Sequence, residues 1–578
     1  MIDVEDLQQR MASLGKRRGF FSPSYEIYGG LAGFYDYGPL GTALKDNILA
    51  LMKRIYVVEN GLLSIDTPVI TPHEVFESSG HVSEFTDFLT MCKQCGSSYR
   101  GDHLLEGLVH NPDALGKKEL ADALKDTEVK CPSCGGELGE PHPFNLMFQT
   151  HIGPGAASRK GYLRPETAQG IFINFQYLLT LNRGKIPMGV FQVGKGFRNE
   201  ISPRQGVIRV REFDMAEAEI FFHPDKKEWP GFDAYKDMPV NLLPAKGDTI
   251  STNFGDAVKN NLILNEALAY FMAITKRILI SCGLDGERLR FRQHERDEMA
   301  HYAQDCWDAE ALLSYGWVEL VGIADRSAYD LKQHQKGSGR EMTVLDPYDE
   351  PVEMEVTRVI PVMKKLGPLF GKNAKHISHL IETMDVNELT KPLKITFEGN
   401  SITIPDDAYE IKSGMETIMG KQYIPHVVEP SYGIGRIFYA IMEHCYGESD
   451  GYVTLKFPAE MAPVKVGVFP LMDRDGMGER ADQISALLRE LRYSTRMDNS
   501  GSIGRRYARM DEIGTPFCVT VDYDTLKDDT VTIRERDSKM QIRIHLDDLP
   551  DVLKGLFSFK TLDEYGEPLR PAGSSTDE

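Results

Sequence analysis

The 578-residue chain has no apolar run that could cross a bilayer. Its hydrophobic stretches are short, broken by charge, and well under the ~20 residues a spanning helix needs. Met1 to Gly19 lacks the apolar stretch of a secretory signal, so a cytoplasmic address is expected and no membrane partner. There is no internal repeat, and no low-complexity segment apart from the polar tail Pro571 to Glu578, read as disordered. Positive charge is also short: 66 Lys and Arg against 86 Asp and Glu leave a net charge of -20. That excludes holding nucleic acid through a global basic field, so any RNA contact must be local. Residues 463 to 550, with 14 basic and 16 acidic side chains, are close enough to neutral to permit one.

What is present is ordinary for a globular protein, 41% hydrophobic and 26% charged, and at this length roughly three or four domains are expected. Eight cysteines in a chain without a secretory signal read as thiols or metal ligands rather than disulfides. Four of them form two Cys-x-x-Cys pairs, Cys92 with Cys95 and Cys131 with Cys134, separated by 35 residues. Each pair can offer two sulfurs to a tetrahedral Zn²⁺, and four thiolates leave no position open for substrate, so the metal would be structural. Cys282, Cys306, Cys445 and Cys518 are scattered and read as small buried apolar side chains.

Texture divides the rest. In residues 1–90, Leu44, Ile48, Leu51 and Met52 recur at helical spacing, and Leu62 to Ile70 turns extended. Residues 91–140 look like a small inserted metal module. Residues 141–339 and 416–462 alternate strands and helices, separated by an insertion at 340–415. From Pro463 a β-then-α unit begins, then extended Tyr493 to Met497, a helix around Ile503 to Ile513, and strands at Phe517 to Val521, Val531 to Ile533 and Ile542 to Leu546. That order predicts a separate α/β domain with a mixed sheet over 463–560, followed by a tail at 561–578.

Phe191 to Phe222 is the most informative stretch: two extended runs joined by the turn Ser202-Pro203-Arg204-Gln205-Gly206. On a hairpin, Arg198 and Glu200 share one face of the first strand, and Arg209, Phe213 and Glu217 one face of the second. Both sets can enter one cleft. A nucleotide needs such groups: guanidinium for phosphate, an acceptor for the adenine amino group, an aromatic face for stacking.

Phe197-Arg198-Asn199-Glu200 followed by Arg209 to Phe213 resembles motif 2 of the class II aminoacyl-tRNA synthetases. The segment 44–72, with Pro68, resembles motif 1, the dimer-forming element of the class. Glu429-Pro-Ser-Tyr-Gly-Ile-Gly-Arg436 before an apolar helix resembles motif 3. Longer blocks are similar to the dimeric glycyl-tRNA synthetases of archaeal and eukaryotic type: ESSGHVSEFTD (77–87), YRGDHL (99–104), YLRPETAQGIFINF (162–175), EMAHYAQDCWDAE (298–310) and GWVELVGIADRSAYDL (316–331). The resemblance implies an α/β (α+β) chain with an antiparallel class II catalytic core, a zinc-ribbon-like insertion and a C-terminal anticodon-binding domain. It implies a homodimer that joins glycine to its tRNA with ATP and Mg²⁺.

By the same resemblance Arg198, Asn199, Glu200, Ile208, Arg209, Phe213, Glu319, Leu320, Gly433, Gly435 and Arg436 would hold ATP, with Arg198 on the α-phosphate and Arg436 on the γ-phosphate. Arg100, Glu166, Phe213, Glu217, Arg326, Glu429 and Ser431 would surround glycine. Carboxylates packed about an ammonium leave little room at the α-carbon, which suits glycine and rejects a methyl. A non-catalytic, nucleic-acid-binding descendant of the fold, or a synthetase for proline, threonine or histidine, is the alternative. His151-Ile-Gly-Pro154 resembles the HIGH signature of the other synthetase class, but it lies within the stretch of chain matched to the glycyl enzymes, and the later Lys-Met-Ser-Lys-Ser is missing. In Ile503 to Arg509, three arginines and a tyrosine within two helical turns suit phosphates and unstacked bases.

Overall fold

The computed structural model describes residues 4–112, 115–203, 205–296, 303–382, 384, 389, 392–397, 400–449 and 451–569. The expected tail from Pro571, the turn residue Arg204 and residues 298–302 of one motif block lie outside them.

A nine-stranded sheet organises the larger unit. Its strands in chain order are β1 (Leu63–Ile65), β2 (Met188–Phe197), β3 (Glu212–Phe222), β4 (Pro239–Leu243), β5 (Ile250–Asn253), β6 (Leu289–Gln293), β7 (Asp305–Leu313), β8 (Gly316–Ser327) and β9 (His426–Gly433). The spatial order is β5-β4-β6-β7-β8-β9-β3-β2-β1. Only β2–β1 and β4–β6 run parallel. The antiparallel centre lets strands far apart in sequence face one another: Glu217 of β3 pairs with Ser431 of β9, and Ser431 with Gly322 of β8. Strand residues two apart share a face, so a few strand positions build a whole wall.

Helix α1 (Pro39–Lys53) buries Leu44, Ile48, Leu51 and Met52, the stripe read from the sequence, and runs on as a π-helical turn to Glu59. That turn carries Tyr56, whose hydroxyl lies 2.6 Å from that of Tyr432 on β9. Thr275 of α2 (Glu266–Ser281) completes this buried triad at 2.7 Å. Helix α3 (Ile434–His444) follows β9 directly, with Ile437, Phe438, Ala440, Ile441 and Met442 buried.

The hairpin β2–β3 is shorter than the alternation suggested. The first strand stops at Phe197 and the second starts at Glu212, so Arg198, Glu200 and Arg209 stand on the connecting loop, not on strand faces. The loop takes the backbone partners instead: Arg198 N donates to Arg211 O at 2.9 Å and Asn199 N to Leu146 O at 2.7 Å. His151 lies on the strand Gln149–Ile152, which pairs with Arg159–Leu163; it opens no helix.

The C-terminal sheet has the order Thr495–Met497, Val466–Pro470, Phe517–Val521, Thr530–Glu535, Gln541–His545, parallel across its first three strands and antiparallel beyond. Leu491 lies past the end of the helix Met477–Glu490 and is 39% exposed. The helix Ile503–Glu512 does not present its basic residues as a set. Arg506 is buried and donates to the carbonyls of Pro470, Asn499 and Gly501. The Tyr507 hydroxyl meets that of Thr520 at 2.6 Å, and Arg509 pairs with Asp498 at 2.6 Å. Arg505 is the exposed one.

Thr343–Tyr423 forms a second compact unit. The strands Val344–Pro361 and Tyr409–Tyr423 pair along a long ribbon, from Val344 opposite Tyr423 to Pro361 opposite Tyr409. The boundary expected at 415 falls inside the second of these strands. Leu366, Ile377, Ile381, Leu393 and Ile404 give the unit its own small core.

In α1 a methyl on Gly41 would sit 1.8 Å from the carbonyl oxygen of Phe20. Gly41→Ala should therefore lower the thermal midpoint by about 5 °C or more, measured by calorimetry, because backbone must move to admit the methyl.

Candidate active site

Arg198, Glu200, Ile208, Arg209, Phe213, Glu319, Leu320, Ser431, Gly433, Gly435 and Arg436 line one cleft. The Arg198 guanidinium lies between two rings, 5.3 Å from the centre of Phe85 and 5.4 Å from that of Phe213. Its Nε donates to Pro165 O at 3.3 Å. Phe213 gains its place from Gly196 opposite it in the hairpin, where a methyl would come within 2.6 Å of the ring. Arg436 Nη1 donates to both the carbonyl and the carboxylate of Glu319 at 2.9 Å, and its Nε to Ile208 O at 3.2 Å. The cleft wall pushes the Glu319 carboxyl up, but Arg436, then Arg198 and His294, pull it below its usual range. Arg209 Nε donates to Glu200 Oε2 at 2.8 Å, with His103 at 3.0 Å from Nη1. Burial, then the charges of Arg100 and Arg209, push His103 down to about 4, so it accepts rather than competes. Guanidinium groups already aimed and braced can meet phosphate with little reorganisation.

Against this cleft, at Ser431, sits a buried cluster of acids. Ser431 Oγ donates to Glu217 Oε1 at 2.7 Å, and Thr167 N to Glu217 Oε2 at 2.7 Å. Gln169 Nε2 bridges Glu166 at 3.0 Å and Asp330 at 3.1 Å. His81 Nε2 lies 3.3 Å from Glu166 Oε2. Arg326, 2% exposed, grips Asp330 with two nitrogens at 2.8 and 2.9 Å and Glu429 at 2.6 Å. Burial, then the charge of Glu166, pushes Glu217 up, against bonds from Thr167 and Ser431. Burial also lifts Glu429 to about 7 despite Arg326. Glu166 ends well below its usual range, because His81, Arg326 and Gln169 outweigh its burial. One guanidinium among this many acids leaves the cluster short of positive charge, which suits it to a small cation.

Of the residues named from sequence, Glu166, Glu217, Arg326, Glu429 and Ser431 come together here. Phe213 faces the arginine-lined cleft. Arg100 pairs with Asp87 at 3.2 Å and with Asp102, beside His103. Asn199 sits on the loop after β2. Sequence reasoning did not single out His81, Phe85, Thr167, Gln169, Asp330 or His103. They lie at the ends of short elements or in the loops beside them, although each falls within one of the quoted blocks.

Cys92, Cys95, Cys131 and Cys134 bring their sulfurs within 4.8 Å of one another. Cys92 to Cys134 is 3.5 Å and Cys95 to Cys131 is 3.6 Å, close to the ~3.8 Å edge of a tetrahedron with 2.3 Å zinc–sulfur bonds. The two turns match: Gly96 N returns to Cys92 O at 3.0 Å and Gly135 N to Cys131 O at 2.8 Å. A bond from Tyr99 pulls the Cys131 thiol down to about 6, toward the thiolate that a metal needs. His294, Cys306 and Asp308 also converge, but Asp308 Oδ2 is taken by His294 at 2.8 Å and Arg292 at 3.0 Å.

The model of the tRNA synthetase class II core domain (G, H, P, S and T) matches residues 155–238, and that of the anticodon binding domain matches 465–556. The glycine–tRNA ligase of Methanothrix thermoacetophila is 48% identical over 563 residues, 96% of this chain and 97% of that protein. This chain belongs to the glycine–tRNA ligase family. The family's protein from Methanocaldococcus jannaschii is 47% identical over 95% of this chain and 99% of its own length. A solved prolyl-tRNA synthetase from Cryptosporidium parvum aligns with a TM-score of 0.49 at 10% identity, over 96% of this chain and 77% of that one. The family resemblance carried by the motifs is borne out, as is the class II fold.

Arg326→Gln should destabilise the protein by about 3–5 kcal/mol, since Glu429 and Asp330 lose their buried counter-charge. Chemical denaturation followed by tryptophan fluorescence checks this; a loss under about 1 kcal/mol contradicts the buried-pair picture.

Proposed function

We infer that this protein is a glycine–tRNA ligase: it activates glycine with ATP and passes the glycyl group to the 3' end of glycine tRNA. The observation carrying this reading is the junction of an arginine-braced cleft with an acid cluster poor in cations, meeting at Ser431. ATP lies in the cleft, with Arg198 on the α-phosphate and Arg436 on the γ-phosphate, and Phe213 stacked on adenine. Glu200 and Arg209 hold the base edge, with Ile208, Leu320, Gly433 and Gly435 as walls and Asn199 on the neighbouring loop. Mg²⁺ accompanies ATP beside Glu319. Glycine seats its ammonium among Glu166, Glu217, Glu429 and Ser431, with Arg326 and Arg100 holding the surroundings.

The glycine carboxylate attacks the α-phosphorus and pyrophosphate leaves; the terminal ribose hydroxyl of tRNA then attacks the glycyl carbonyl and AMP leaves. No protein nucleophile is required. The rate comes from holding the reactants in line and neutralising charge as it develops. Arg198, set against the rings of Phe85 and Phe213, is pre-positioned for that charge.

The C-terminal domain binds the anticodon arm, and the chain works as a cytoplasmic homodimer through the motif 1 region. No described helix is long and apolar enough to cross a membrane. Cys92, Cys95, Cys131 and Cys134 hold a structural Zn²⁺ that fixes the insertion at 91–140.

Two measurements test these assignments. Arg198→Ala should reduce glycine-dependent pyrophosphate–ATP exchange by about 10³-fold or more at unchanged thermal midpoint; near-normal exchange defeats the assignment. Cys131→Ser should lower bound zinc from one per chain, read by elemental analysis, and make the insertion sensitive to limited proteolysis. Unchanged metal content and digestion would exclude the four-thiolate site.

A further inference from the structure

Among the described residues, Glu219 is the fully buried carboxyl with neither oxygen hydrogen-bonded. It stands on β3 two residues beyond Glu217, so the two side chains share a face. The register that pairs Glu217 with Ser431 and Ile220 with Val428 sets Glu219 across from Glu429. Its charged neighbours are Glu429 on β9, Arg326 on β8, Glu217 on β3 and Asp330 on the following helix. The one base among them already bonds Glu429 and Asp330. Glu166, held by His81 and Gln169, closes the set on the Glu217 side, and His334 of that same helix bonds Gln169 at 2.7 Å.

A carboxyl out of water and without a partner is costly, and persists where a ligand completes it. The donors on the neighbouring strands, Arg326 and Ser431, are already engaged by Glu429, Asp330 and Glu217. The missing partner is a small cation, and the one the reaction brings is the substrate ammonium.

We propose that Glu219 is a further specificity-determining residue of the glycine site, a reserve carboxyl that becomes charged when the ammonium enters. This rests on the ligase reading above. Burial and then the charge of Glu429 raise the Glu219 carboxyl well above its usual range, which favours the protonated form in the empty site. As the ammonium arrives, the Glu219 O–H bond breaks, the electron pair stays on the carboxylate and the proton passes to bulk water. One cation enters and one leaves, so the buried charge is unchanged. Ammonium and proton compete, and glycine binding tightens as pH rises. Glu429 titrates in the same cluster; replacing Glu219 alone separates the two contributions. A neutral zwitterion with a larger side chain gains the same charge but cannot approach both strands, so the reserve carboxyl rewards only a compact substrate.

Glu219→Gln keeps the volume and removes the ionisation. In glycine-dependent pyrophosphate–ATP exchange the glycine KM should rise about tenfold, with the ATP KM unmoved and kcat at saturating glycine affected far less. Calorimetry of glycine binding in the presence of a nonhydrolysable ATP analogue, in buffers of different ionisation enthalpy, should find fewer protons released per glycine than in wild type. A folded E219Q protein with wild-type glycine KM and proton count overturns the proposal. Should E219Q not fold, Glu219→Asp, which keeps the carboxyl but withdraws it from the ammonium, decides: a raised glycine KM at unmoved ATP KM supports the proposal and a wild-type glycine KM overturns it. Absence of glycine-dependent exchange in the wild type would instead sink the ligase reading, so the two failures are distinct.

Discussion

The contact on which the site depends is Arg326 between Glu429 and Asp330. A guanidinium 2% exposed is tolerable only because both carboxylates take its protons in good geometry. The pairing ties β8, β9 and the helix after β8 into one body, and fixes Glu429 beside Glu217 and Ser431. Gln169 extends the link to Glu166. Acids that would repel one another are thereby held a few ångströms apart, and the residual imbalance is what a cationic substrate relieves.

The nucleotide cleft is held differently. Its arginines are exposed enough to reach a ligand, and each is braced: rings for Arg198, a carbonyl and the Glu319 carboxylate for Arg436, the Glu200 carboxylate and His103 for Arg209. Behind both sites, the Tyr56–Tyr432–Thr275 triad joins α1, β9 and α2 through bonds of 2.6 and 2.7 Å. Tyr432 lies between Ser431 and Gly433, so the element resembling the dimer-forming motif is mechanically connected to the substrate walls.

Much of this was legible in the sequence, because period-2 and helical patterns survive wherever one face is buried. The stripe of α1 and the strands Phe517–Val521 and Gln541–His545 follow from such patterns, whereas the gathering of Arg198 and Arg436 was legible through the resemblance of their motifs. Loops were not legible in that way. Alternation extended the hairpin through Arg198 and Arg209, where the chain leaves the ladder to make other backbone bonds. The basic run Arg505 to Arg509 looked like a surface for RNA, but composition cannot reveal that Arg506 caps carbonyls inside the domain while Arg509 answers Asp498. Phe85 and His81 were hidden for a related reason: their partners are some eighty or more residues away, brought close only by the sheet.

In the second unit, Val344 sits opposite Tyr423, so the strand that begins the insertion and the strand that ends it are paired at their outer ends. The polypeptide departs and returns through neighbouring points. The intervening residues therefore add little closure entropy beyond that of a short hairpin. Lineages could lengthen, trim or exchange this ribbon while β9 and α3 stay in register, which makes the position a natural port for acquiring new surfaces.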